Sequence, residues 1–147
     1  MPLPMFPAQI LLHTDQQNGQ FLFVSNDTEG DDKVVEAHPY PDEFRNRFEA
    51  QDDGGGNVRL YNPATGYYLF VSEGERGGDK VVEAHPYRDE PRNSFMVLEP
   101  DPGVFVFLNP STNRFMFISN DREGDDFVIE AHPYNELRNR FTAIPAA

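Results

Sequence analysis

Three short segments carry the side chains most able to do chemistry. They read Val-Val-Glu-Ala-His-Pro-Tyr over residues 34–40 and 81–87, and Val-Ile-Glu-Ala-His-Pro-Tyr over residues 128–134. His38, His85 and His132 are spaced by 85 − 38 = 47 and 132 − 85 = 47 residues. Glu36, Glu83 and Glu130 each precede their histidine by two positions, which on an extended strand puts carboxyl and imidazole on one face. An Arg-Asn pair follows each segment: Arg45-Asn46, Arg92-Asn93 and Arg138-Asn139. Carboxylate, imidazole, guanidinium and amide together can bind a polyhydroxylated ligand in bidentate fashion. A flat apolar surface for the C–H face of a sugar ring would come from Tyr40, Tyr87 and Tyr134, or from Phe23, Phe70 and Phe117. These eighteen residues are the candidate carbohydrate-contacting set.

Each also has a structural role open to it. His38 can cap a strand end before Pro39. Glu36 and Arg45 can pair as ions, an interaction that contributes only about 0–1 kcal/mol when exposed. Phe21 and Phe23 can cover the flank of a sheet. Asn46 can hold the turn before the next strand, since Asn side chains mimic backbone turns. Other chemistries fit less well. The acidic run over residues 26–32 lacks the twelve-residue spacing and terminal Glu of a calcium loop, and Gly74, Gly77 and Gly78 dilute it in the second copy. Glu36 with His38 supplies two zinc ligands and shows no third or fourth. No nucleophile elbow, cysteine or phosphate loop is present, so neither an enzyme nor a cofactor is expected.

The elements that must position these groups are short strands. In the first copy they fall over residues 10–15, 20–25, 33–38 and 47–50. Gln16-Gln17-Asn18-Gly19 reads as a tight turn, because Asn-Gly supplies the positive φ that hairpins need. Residues 26–32 read as a polar loop, Pro39 and Pro41 end the third strand, and Gly54-Gly55-Gly56 reads as a flexible hinge between lobes. The pattern recurs twice, giving lobes at about 9–55, 56–102 and 103–147 after a Pro-rich arm over residues 1–8. No window shows a helical period, so the expectation is a single all-β domain of twelve short strands with pseudo-threefold symmetry. Each copy is too small to hold a core alone, which suggests closure into six barrel strands capped by six hairpin strands. The core layers are then Leu22, Leu69 and Met116; Val24, Val71 and Ile118; Val35, Val82 and Ile129; and Phe48, Phe95 and Phe141, each matched in volume about a common axis.

A formal net charge of −13 argues against nucleic acid and against anionic membrane surfaces. No apolar stretch is long enough to insert in a membrane. The lack of cysteine and of a leader-like start suggests a cytoplasmic protein.

From about Gln9 to Ala143 the chain resembles the β-trefoil lectins. Where ricin-type members carry Gln-x-Trp, this chain has Asn46-Arg47-Phe48, Asn93-Ser94-Phe95 and Asn139-Arg140-Phe141, and it contains no Trp. The His-Pro-Tyr segments are similar to the His-Pro-Tyr-Gly-Gly motifs of a mussel galactose-binding trefoil family, without the two glycines. The overall look is that of the cysteine-free bolete-type mushroom lectins. The resemblance implies a non-enzymatic, multivalent lectin for galactosyl or N-acetylgalactosaminyl glycans, with one shallow site per lobe and a role in fungal defence. A homodimer would multiply the sites. By repeat position, His38 falls where ricin-type lectins keep a stacking aromatic, Glu36 at a polar ligand, and Phe23 at their key Asp. The competing expectation is a protein-binding trefoil such as a protease inhibitor, which would use one loop and would not need three matched sites.

Overall fold

A computed structural model of the chain describes residues 6–41 and 43–146. The first five residues of the expected Pro-rich arm lie outside the described residues. The fold is all-β. Among the described residues the twelve strands are β1 (Ile10–Thr14), β2 (Gln20–Glu29), β3 (Asp32–His38), β4 (Arg47–Asp52), β5 (Val58–Asn62), β6 (Tyr67–Arg76), β7 (Asp79–His85), β8 (Met96–Asp101), β9 (Val104–Asn109), β10 (Arg114–Glu123), β11 (Asp126–His132) and β12 (Phe141–Pro145). A one-turn 3-10 helix precedes the last strand of each lobe, at Phe44–Asn46, Pro91–Asn93 and Leu137–Asn139. Among the described residues no helix is long and apolar enough to cross a membrane.

The antiparallel ladder closes on itself in the order β1, β4, β5, β6, β7, β3, β11, β10, β9, β12 and back to β1. Closure leaves few free edges to recruit another chain. The expected division into a six-strand barrel and separate hairpins is therefore incomplete. The hairpins are bonded into the circuit, because β6 and β10 each pair with the strand before them at their first two residues (Tyr67 with Asn62 and Tyr68 with Tyr61; Arg114 with Asn109 and Phe115 with Leu108). A single bridge, Val58 with Phe95, links β5 to the residue before β8. The third strands β3, β7 and β11 pair with one another in a triangle, so the three Glu-Ala-His segments surround one axis.

The polar segment over residues 26–32 is a hairpin rather than a loop. Strand β2 continues through a bulge between Val24 and Thr28 and turns at Gly30, whose φ of +62° suits glycine. Its polar composition follows from exposure, which removes the apolar alternation by which a strand is recognised. The turn at residues 16–19 forms as expected, with Asn18 and Gly19 at φ of +67° and +84°. The expected hinge at Gly54–Gly56 is instead the tip of the β4–β5 hairpin. Asp53 Oδ1 accepts the backbone N–H groups of Gly55 at 2.7 Å and Asn57 at 3.1 Å, and Asp53 Oδ2 accepts the Ser94 hydroxyl at 2.8 Å.

All twelve residues of the four expected layers are fully or almost fully buried in one cluster. Ile10, Leu12, Val58, Leu60, Phe105 and Phe107 extend it along the first strand of each lobe. Phe107 is larger than its counterparts Leu12 and Leu60. It fits by tilting against Phe95 and Phe141, at centroid separations of 6.5 and 6.2 Å.

Candidate functional site

The second and third strands of each lobe place the candidate residues. Phe23 lies opposite Glu36, and Phe21 opposite His38, so Phe23 and His38 are diagonal neighbours on one face. The diagonal lets the rings stack. Centroids lie 3.9 Å apart for Phe23–His38, 3.8 Å for Phe70–His85 and 3.7 Å for Phe117–His132. The edge of the next tyrosine meets each imidazole: Tyr40 at 5.4 Å, Tyr87 at 5.3 Å and Tyr134 at 5.5 Å. An arginine from the 3-10 turn lies over each phenylalanine, Arg45 at 5.8 Å, Arg92 at 5.9 Å and Arg138 at 5.1 Å from the ring centroid. Every lobe thus carries the same assembly of Arg, Phe, His and Tyr, with a cation–π contact at one end.

Burial corrects part of the expected site. His38, His85, His132, Asn46, Asn93 and Asn139 are buried, and their polar atoms meet each other and nearby backbone groups. The amide Nδ2 groups of the asparagines donate to the carbonyls of Leu22, Leu69 and Met116 at 3.0, 3.2 and 3.1 Å. The same amides meet the imidazoles: Oδ1 lies 3.4 Å from Nε2 of His38, 3.0 Å from that of His85 and 3.5 Å from that of His132, and Asn46 Nδ2 lies 3.2 Å from His38 Nε2. The amide anchors the 3-10 turn to β2, β6 and β10. Phe23, Phe70 and Phe117 are corrected as stacking platforms, because imidazole and guanidinium approach the ring and side-chain burial is nearly complete. The expected open cup is filled by its own chain. What reaches solvent in each lobe is the tyrosine, 62 %, 61 % and 62 % exposed at Tyr40, Tyr87 and Tyr134, and the half-buried guanidinium.

The glutamates are buried on the same side. Arg45 pairs with Glu43 at 3.3 Å, and Arg138 with Glu136 at 3.8 Å, rather than with the strand glutamates. Glu36 Oε2 and Glu130 Oε2 are buried acceptors without a donor. Burial pushes the Glu36 carboxyl up to about 8, assisted by Asp27 and by Asp126 from the third lobe. Glu130 is likewise pushed up to about 8 by burial, then by Asp121 and by Asp79 from the second lobe. A proton held between Glu and Asp turns two facing acceptors into a hydrogen bond, which favours the neutral acid at both glutamates. The second lobe differs. Gly74 occupies the position of Asp27 and Asp121, and a shallow cleft of about 370 Å³ lies beside Glu83, Arg92 and, from the first lobe, Asp32. Among the described residues no group of three or more His, Cys, Asp or Glu side chains could hold a metal ion.

Sequence reasoning did not single out Asp27 and Asp121 individually. The signal was the Ser-x-Asp spacing at the bulges of β2 and β10, where Ser25 and Ser119 Oγ each accept the backbone N–H of the Asp at 3.1 Å. It also passed over Asn62 and Asn109, which sit buried in Asn-Pro-x-Thr turns. Each accepts from the Thr hydroxyl, at 2.7 Å for Thr65 and 2.8 Å for Thr112. A groove of about 440 Å³ between Phe44, Arg47 and Pro63 has none of the His-assembly residues in its lining. A similar groove of about 420 Å³ recurs between Pro91, Ser94 and Pro110. Neither presents a carboxyl–imidazole pair, so the repeated chemistry lies with the assemblies.

No protein-family model matches the chain, and no curated protein matches it. Solved structures do. A designed threefold-symmetric protein, ThreeFoil, superposes with a TM-score of 0.81 at 15% identity, covering 95% of this chain and 99% of its own. The SDF2-like protein from Arabidopsis thaliana gives 0.81 at 9% identity, over 96% and 94% of the two chains. A salivary protein from Culex quiquefasciatus, of the Cysteine and Tryptophan-Rich family, gives 0.77 at 19% identity over 99% of each. Identities this low carry the fold alone. Together with the closed ladder and the threefold repetition of strands, turns and core layers, they identify the architecture as a β-trefoil.

Proposed function

We propose that this β-trefoil is a non-enzymatic, multivalent carbohydrate-binding protein that recognises terminal galactose or N-acetylgalactosamine through one shallow site per lobe. One observation carries the reading. The same Arg-Phe-His-Tyr assembly stands in all three lobes, each time leaving a tyrosine about three-fifths exposed and an arginine partly exposed. An exposed aromatic offers area at low entropic cost, and its ring face suits the C–H face of a sugar. The guanidinium donates to ring and hydroxyl oxygens. His38, His85 and His132, with Asn46, Asn93 and Asn139, act as positioning residues that hold the tyrosine and the arginine. Single sites of this kind are weak, and three on one body gain through effective concentration on glycan-dense glycoproteins or glycolipids.

Calorimetric titration with lactose and with N-acetylgalactosamine tests the reading. The expected stoichiometry is near three per chain, falling to two in Tyr40→Ala with unchanged melting. Absence of heat with either sugar, together with a blank glycan array, overturns it.

A further inference from the structure

The 3-10 turns border a second repeated feature, a groove between each lobe and the next. Its walls are the first residue of the turn (Phe44, Pro91 or Leu137), the residue just after the turn (Arg47, Ser94 or Arg140), and the residue that follows the first strand of the neighbouring lobe (Pro63, Pro110 or Asp15). The three grooves differ in charge. Between the second and third lobes, Ser94 donates its hydroxyl to Asp53 at 2.8 Å. Between the third and first, Arg140 pairs with Asp101 at 3.2 Å, and Asp15 adds another carboxylate. The groove between the first and second lobes encloses about 440 Å³ and is lined, among the described residues, by Gln9, Phe44, Arg47, Pro63 and Ala64, none of them acidic. The Arg47 side chain forms no ion pair or hydrogen bond with another described residue. Its guanidinium lies over the Phe44 ring, 5.4 Å from the centroid, and Phe44 is 73% exposed. The nearest described carboxylates in sequence are engaged elsewhere, Glu43 with Arg45 and Glu49 with the Gln51 amide, each at 3.3 Å.

We infer that the groove between the first and second lobes binds a carboxylate carried on an apolar body, with the Arg47 guanidinium on the carboxylate and Phe44, Pro63 and Ala64 against the apolar part. The site shares no lining residue with the His assemblies, so the inference goes beyond the lectin reading and does not depend on it. A guanidinium stacked on a ring keeps the N–H groups of its edge free, and their planar fork matches the two oxygens of a carboxylate. In the other two grooves an aspartate of the chain already holds the corresponding residue, which shows the same position taking a carboxylate from within. A volume of about 440 Å³ has the size of a small-molecule site, with mostly apolar walls and one fixed polar anchor. The charge of the ligand follows from the same surroundings. A cation would meet Arg47, a neutral sugar would set its hydroxyls against proline, alanine and phenyl surface, and a multiply charged anion would find one counter-charge on a protein of net charge −13. One negative charge joined to an aromatic or aliphatic group suits all the walls at once.

The test is an amide NMR titration of the full chain at low salt with N-acetylphenylalanine, whose carboxylate is free, and with its neutral amide. The acid should shift the backbone amides of Gln9, Phe44, Arg47 and Ala64 saturably, and the neutral amide should bind about tenfold more weakly or less. Arg47→Gln should lower the affinity for the acid by about tenfold or more. Phe44→Ser, at an exposed position, should weaken it as well, and it keeps the inference testable if Arg47→Gln fails to fold. A short glycine peptide ending in phenylalanine separates two sources of the same chemistry. Tighter binding of the peptide than of N-acetylphenylalanine supports the site as one for polypeptide C-termini, and equal binding supports it as one for free apolar acids. No saturable shift at these amides, equal binding of the neutral amide, binding of acetate as tight as that of N-acetylphenylalanine, or an affinity that survives both substitutions overturns the inference.

Discussion

Raising the pH from 5 to 7 destabilises this protein, and the buried glutamates set the size of the effect. Glu36 and Glu130 ionise at 4.5 when unfolded and at about 8 when folded, because burial and the adjoining Asp27 or Asp121 oppose the charge. Below the lower value both states hold the proton, and above the upper value neither does. Between them the folded chain keeps a proton that the unfolded chain has lost, so stability falls as pH rises. Each group contributes about 1.4 kcal/mol per pH unit. For two groups over two units the upper figure is about 5 kcal/mol, and relaxation of the folded chain around the carboxylates brings it to about 2–5. That is a large part of the roughly 5–15 kcal/mol that holds a domain of ordinary stability. The assay is urea denaturation at half-unit steps from pH 5 to 8, on the wild type and on Glu36→Gln/Glu130→Gln. The amide donates to Asp27 and Asp121 as the protonated acid does but cannot ionise, so the double variant should lose more than half of the slope. Whatever slope it retains belongs to the other titratable groups, the histidines included, and to the net charge of −13. A double variant with the wild-type slope, or a wild type whose stability is level or rises over this range, refutes the reasoning.

Two further outcomes follow from the same geometry. Asn93→Ala strands the Leu69 carbonyl and His85 Nε2 in the interior, and should cost about 2–4 kcal/mol in urea denaturation, whereas Tyr87→Ala, at an exposed position, should cost under about 1. Gly66→Ala places a Cβ at φ of +75° and should cost about 1–2 kcal/mol, whereas Gly74→Ala, outside the left-handed region, should cost less; thermal melting of the pair measures the difference.

The site was legible in composition and only partly in exposure. The Glu-x-His spacing placed both side chains on one face of the third strand, as the structure does, and the recurrence at 47 residues gave three copies of one arrangement. The same alternation suggested that the face opposite Val35 and Ala37 met solvent. It does not, and all of Val34, Val35, Glu36, Ala37 and His38 are buried. Period-two alternation distinguishes the two faces of a strand but not which of them is covered when the cover comes from elsewhere. Here part of the cover is Arg45 and Asn46, on a turn eight residues beyond His38.

The sequence by itself determined the repeat, the strands, the four core layers and the turn at Asn18-Gly19, because each depends on neighbours a few residues apart or on the equality of three copies. Tertiary structure alone decided that the histidines lie inside, that burial raises the proton affinity of Glu36 and Glu130, that the hairpins join the closed ladder, and that Gly74 leaves a cleft. These depend on which side chains converge from distant segments, and burial, pairing and proton affinity are properties of that convergence.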